Sequence, residues 1–135
     1  MRPEARHFWD QGLQEVEDAV ALFRMRRWAK GCFSCEQAAQ MASKALFIER
    51  EVRSHPREHD LRRLGNLVHA PAALVPALDA LNPLYMRNRY PDVTSTIPGL
   101  TYSETDCREA FDRSLEILRW VSGELGVDEP RSRLA

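Results

Sequence analysis

Lysine is nearly missing from this sequence: of its 19 basic residues only Lys30 and Lys44 are lysines, and the rest are arginines. Arginine presents a planar fork of donors that matches carboxylate and phosphate, so anion contacts fall to forks rather than to compact ammonium charges. The 20 acidic residues bring the formal net charge to −1, which excludes a protein that coats nucleic acid by bulk charge and leaves only a local basic patch. Cysteine is scarce too. Three thiols cannot all pair within one chain, which suits a reducing compartment, so the expected location is cytoplasmic. No apolar run approaches the roughly 18 residues that a membrane span requires. The start, Met1-Arg2-Pro3-Glu4-Ala5-Arg6, has no signal-peptide core. A glycine-rich phosphate loop, an H-E-x-x-H pair, a nucleophile elbow and the glycine-serine plus spaced aspartates of a nucleotidyltransferase are all absent.

What is present is helical periodicity. The chain has 135 residues, enough for one domain that needs no disulfide or metal to hold it. From Glu4 to about Trp28, Phe8/Trp9, Leu13, Val16, Ala19/Val20 and Phe23 recur at helical spacing. A second helix is expected from Ala29 to Val52, with Cys35, Ala38/Ala39, Ala42 and Ala45/Leu46 as its inward stripe. Its alanines permit close helix approach. After the proline-broken segment 53–58, Leu61, Leu64 and Leu67/Val68 mark a short third helix. A fourth is expected to run unbroken from Ala72 to about Arg87, with Pro76 tolerated near its first turn. Residues 90–102 read as a loop, and Ser103 with Asp106 resembles a capping box that opens a last helix ending near Gly126. The expectation is an all-α, up-and-down bundle of about five helices over residues 1–126, with 127–135 as a frayed tail.

Three segments carry more than periodicity. On the second helix stands Cys35-Glu36-Gln37-Ala38-Ala39-Gln40-Met41-Ala42-Ser43-Lys44-Ala45-Leu46; at the third, His59-Asp60-Leu61-Arg62-Arg63-Leu64; and at the end of the fourth, Tyr85-Met86-Arg87-Asn88-Arg89-Tyr90-Pro91-Asp92. In this order they resemble the Q-A-A-E-x-x-x-K-A-L, H-D-L-x-x-L and Y-x-x-x-R-Y-P-D segments of the HEPN domain family, of the kind encoded beside minimal nucleotidyltransferases. The resemblance spans roughly residues 5–125. It implies a helical bundle, usually a homodimer, with the polar end of the fourth helix lining a cleft between protomers. It also implies a nucleotide- or RNA-associated role, as partner subunit of a minimal nucleotidyltransferase in a toxin–antitoxin or defence-type module. No cofactor and no metal are called for. By the same resemblance Tyr85, Arg87, Arg89, Tyr90 and Asp92 are the nucleotide- or phosphate-binding candidates, and Tyr90, with Tyr85 beside it, is the candidate acceptor for a transferred nucleotide.

Many members of the family are metal-independent endoribonucleases that use an R-x(4–6)-H motif near this point. Here no histidine follows Arg87 or Arg89; the last in the chain is His69. Cleavage through a 2′-hydroxyl needs a base and an acid, and histidine serves both near neutral pH. Arginine stays protonated and can only stabilise phosphate charge. Binding without cleavage is therefore the first reading, and an endoribonuclease that borrows His59 or Asp92 is the alternative. A dimeric scaffold that binds only protein is the third. Each candidate also has a plain structural reading. Arg89 can pair with Asp92 where Pro91 stops a helix, and Asp60 can cap a helix with His59 packed beside it. Cys32-Phe33-Ser34-Cys35 lies inside a helical pattern, with no strand before it and with Cys107 far off in sequence, so its thiols read as packing residues. Trp9, Trp28 and Trp120 read as core or interface anchors. The arginines of 24–27 read as a solvated face or an interface rim.

Overall fold

The computed structural model describes residues 1–87 and 101–134. Arg89, Tyr90 and Asp92, together with most of the expected loop, lie outside them. The described helices are α1 (Pro3–Arg24), α2 (Trp28–Glu51), α3 (Leu61–Leu67), α4 (Val75–Leu81), α5 (Leu84–Arg87) and α6 (Glu104–Leu125), with a single 3-10 turn at Ala72–Leu74 ahead of α4. No strand occurs among the described residues, and no helix there is long and apolar enough to cross a membrane. The all-helical expectation holds.

α2 is the central element, with α1 packed along one side and α6 along another. That position explains its composition. A helix touched on several sides needs small residues, and Cys32, Cys35, Ala38, Ala39, Ala42 and Ala45 are each 0% exposed. Gly12 of α1 sits where the two helices come closest; a Cβ there would stand 3.3 Å from the Ala38 carbonyl oxygen. Trp9, at 1% exposed, fills the space that the small residues leave. α6 starts with the capping box expected from Ser103 and Asp106, each side chain bonding the other residue's backbone N–H. It stops at Gly126, whose φ of 72° is in the left-handed region.

Two boundaries differ from the sequence reading. The fourth helix is broken into the 3-10 turn, α4 and α5, because Pro83 has no N–H to continue the helical ladder. Asn82, just before it, turns its side chain away to bond elsewhere, as described below. The segment after Gly126 has no regular element, yet Leu134 is only 7% exposed and belongs to the core cluster, lying against α6 beside Phe111 and Leu115.

Candidate functional site

Glu36, Gln40 and Lys44 follow one another at four-residue spacing on α2, so their side chains share one face. They are 0%, 1% and 4% exposed, an expensive set to bury. Hydrogen bonds offset that cost. One Glu36 oxygen accepts from Gln37 Nε2 at 2.7 Å and the other from Gln40 Nε2 at 2.6 Å. A carboxylate only accepts, so this network assigns the amide nitrogen of Gln40 to Glu36 and leaves its oxygen free to turn outward. There it meets His59 Nδ1 at 3.3 Å. In the neutral ring Nδ1 is then the protonated nitrogen and Nε2 the one that carries the lone pair.

His59 reaches this point from the segment just ahead of α3, and its position is fixed by Asp60. The Asp60 carboxylate caps α3 by accepting from the Arg62 and Arg63 N–H groups, and it also accepts from Asn82 Nδ2. Asn82 returns a bond by accepting the Leu61 N–H at 2.9 Å. The Asp60–Asn82 pair thus ties the start of α3 to the turn between α4 and α5. As a result, the rings of His59 and Tyr85 lie face to face, 4.8 Å apart and 13° from parallel. The Tyr85 ring also stands 6.4 Å from Phe33 of α2, tilted by 40°. His59, Asp60, Asn82, Pro83 and Tyr85 together line an open cleft of ≈ 400 Å³. Arg87, the last residue of α5, is two residues beyond Tyr85.

The charge of this corner limits its chemistry. Asp60 lines the cleft, and Glu36 and Glu58 both act on Lys44, which is the one buried cation among the described residues. The described side chains alone therefore do not favour an anion. Burial pushes the Lys44 pKa below its ordinary value of 10.5, and Glu36 and then Glu58 oppose that push. Between the folded value and 10.5 the unfolded chain binds more protons, so stability should rise with pH up to about that point and be lowest below the folded value. Urea midpoints measured across the alkaline range should show this rise in the wild type and lose it in Lys44→Met. Among the described residues no group of three or more His, Cys, Asp or Glu is placed to hold a metal ion.

The HEPN domain family model matches residues 5–125. The chain belongs to the HEPN domain family. Two solved structures share the fold of this HEPN domain over nearly its whole length. TT1696 from Thermus thermophilus is 25% identical with a TM-score of 0.81, covering 91% of this chain and 99% of that one. ST0689, described as an archaeal HEPN homologue, is 26% identical with a TM-score of 0.77, covering 93% and 99%. No curated protein sequence matches the chain. At the level of the family, membership supports a nucleotide- or RNA-related role.

The structure brings together two of the residues singled out from sequence, Tyr85 and His59, which had been assigned to different segments. His69, the last histidine of the chain, does not line this cleft. What the sequence reading missed is the network behind His59. Glu36, Gln40 and Lys44 were present only as motif letters, and Asn82 not at all. A signal did exist: three polar residues at four-residue spacing inside an alanine stripe, one of them a rare lysine.

Proposed function

We propose that this HEPN domain binds a nucleotide or single-stranded RNA at the end of α5. Tyr85 and His59 offer a ring platform for a base, and Arg87 and Arg89 meet its phosphates. The observation that carries this reading is the His59–Tyr85 stack on the rim of an open cleft two residues before Arg87. Bases stack on such platforms without sequence preference. Tyr90 and Asp92 complete the site, and Tyr90, with Tyr85 as second candidate, accepts a nucleotide from the partner enzyme. The protein acts as a homodimer and as the partner subunit of a minimal nucleotidyltransferase in a toxin–antitoxin or defence-type module. It works in the cytoplasm and needs no cofactor.

The deciding experiment titrates the purified protein with ATP, GTP and a short single-stranded RNA, beside the double variant Arg87→Ala/Arg89→Ala, with RNA integrity checked on a gel. The expected result is binding that drops at least tenfold in the variant while the RNA stays intact. Equal binding by wild type and variant would remove this corner as the site. A neighbouring gene for a nucleotidyltransferase supports the partner assignment.

The bonds behind His59 favour one second reading. A histidine held by Gln40 through Nδ1, with its lone pair on Nε2, has the form of a general base for a 2′-hydroxyl. On that reading the wild type cleaves RNA without metal and His59→Ala does not, whereas a pure binder has no cleavage to lose.

A further inference from the structure

We propose that Cys32 and Cys107 are a reactive pair that a hydroperoxide converts to a disulfide, pinning the first turns of α2 and α6 together. The two residues are far apart in sequence, yet both are 0% exposed within one core cluster, and their thiols hydrogen-bond each other. Gly31 makes this approach possible. A Cβ at that position would stand 2.7 Å from Cys107 Sγ, so a larger residue would push the sulfur out of the notch beside Cys32. Cys35, one turn along α2, is equally buried but bonds Ser114 instead.

A route exists for a small oxidant. Cys32 lines a cavity of ≈ 220 Å³ together with Leu84, Tyr102, Asp106 and Glu109. That is several times the roughly 30 Å³ a water molecule occupies in the liquid. The two thiols are also unequal. The hydrogen bond from Cys32 lowers the Cys107 pKa, burial opposes this, and Arg108 adds to the lowering. The same hydrogen bond, then burial, raises Cys32. Cys32 lines the cavity and so meets the oxidant, and Cys107, whose thiolate is favoured, is the resolving thiol.

The chemistry balances with one hydroperoxide. The Cys32 sulfur attacks one peroxide oxygen, the O–O bond breaks, and the departing hydroxide takes the thiol proton to become water. Cys32 is left as a sulfenic acid. The Cys107 sulfur then attacks that sulfur, the S–S bond forms, the S–O bond breaks, and the hydroxyl leaves as water with the Cys107 proton. Two thiols have lost two electrons, and the peroxide has taken both. Leu84, the first residue of α5, lines the same cavity, so the pin forms beside the helix that carries Tyr85.

The test treats the full chain with hydrogen peroxide, alkylates the remaining thiols under denaturing conditions and maps the peptides by mass. The expected product is a Cys32–Cys107 linked pair lighter by two hydrogens than its separate peptides, with Cys35 alkylated and the bond reversed by dithiothreitol. The melting temperature of the oxidised protein should rise by about 5–10 °C. Cys35→Ser should form the same bond and Cys107→Ser should form none. Alkylation of all three thiols after oxidation would overturn the proposal, as would a bond to Cys35. If Cys107→Ser does not fold, the wild-type map decides alone, and its readout is independent of any nucleotide bound at Tyr85.

Discussion

Replacing Tyr85 by leucine is expected to weaken the binding of a nucleotide or short RNA by roughly 5- to 150-fold, the loss of one base–aromatic stack. Tyr85 is half-buried. Phe33 stands 6.4 Å from it at a 40° tilt, an apolar contact that leucine can keep, whereas the His59 ring lies 4.8 Å away at near-parallel geometry, which leucine cannot reproduce. The substitution therefore separates packing from stacking. Circular dichroism should find the melting temperature shifted by no more than a few degrees, while fluorescence titration with ATP and with RNA shows the loss. If Tyr85→Leu binds as the wild type does, the ring platform is not the base site, whatever Arg87 and Arg89 contribute. If binding falls only in step with a large drop in stability, Tyr85 is a packing residue and its place in the cleft is incidental.

The parts of this molecule that follow local rules were legible before any fold was known. α1, α2 and α6 came from the spacing of apolar residues, and Ser103 with Asp106 announced the start of α6 because a capping box involves only residues three apart. The sequence favours an unbroken fourth helix because Pro76 is tolerated near its start, and it is Pro83 that breaks it. Pro76 falls in the first turn of α4, where a missing N–H costs little, while Pro83 falls where the ladder has to continue. Leu134 shows the opposite limit. A lone leucine in a polar, proline-bearing tail has no period to read, and only the groove along α6 explains its burial. The site was legible as a set of residues and not as an arrangement. His59 and Tyr85 each had a bland local account, and neither account contains the other residue. Their stack depends on Asp60 and Asn82, twenty-two residues apart, closing the α3 start onto the α4–α5 turn. Asn82 could not be found from spacing, since its bonds cross between elements.

Gln40 is where the buried network is most exposed to a single change. Gln40→Leu keeps the side-chain size and helix propensity while removing both polar contacts, and it is expected to cost about 2–3 kcal/mol of stability. The larger share comes from Glu36. That residue is 0% exposed and would lose the 2.6 Å bond to one oxygen. His59 is exposed, so water takes over at its Nδ1 and the ring loses orientation rather than solvation. A purely local packing role for Gln40 predicts a cost well under this, because leucine packs at least as well. The exchange of partners offers the sharper test. Gln40→Glu alone sets two carboxylates against each other in the core and should destabilise at neutral pH. Adding Glu36→Gln restores one acid and one amide in reversed order, so the double variant should recover most of the loss. The carboxylate then faces His59 directly, and an opposite charge at that distance favours the imidazolium, raising the His59 pKa. Urea denaturation of the two single variants and the double gives the coupling energy, which should be on the order of 1–3 kcal/mol. Additive losses would mean that Glu36 and Gln40 act separately, and the oriented His59 would then lose its physical basis. NMR titration of the His59 ring in the double variant reads the same linkage from its other end.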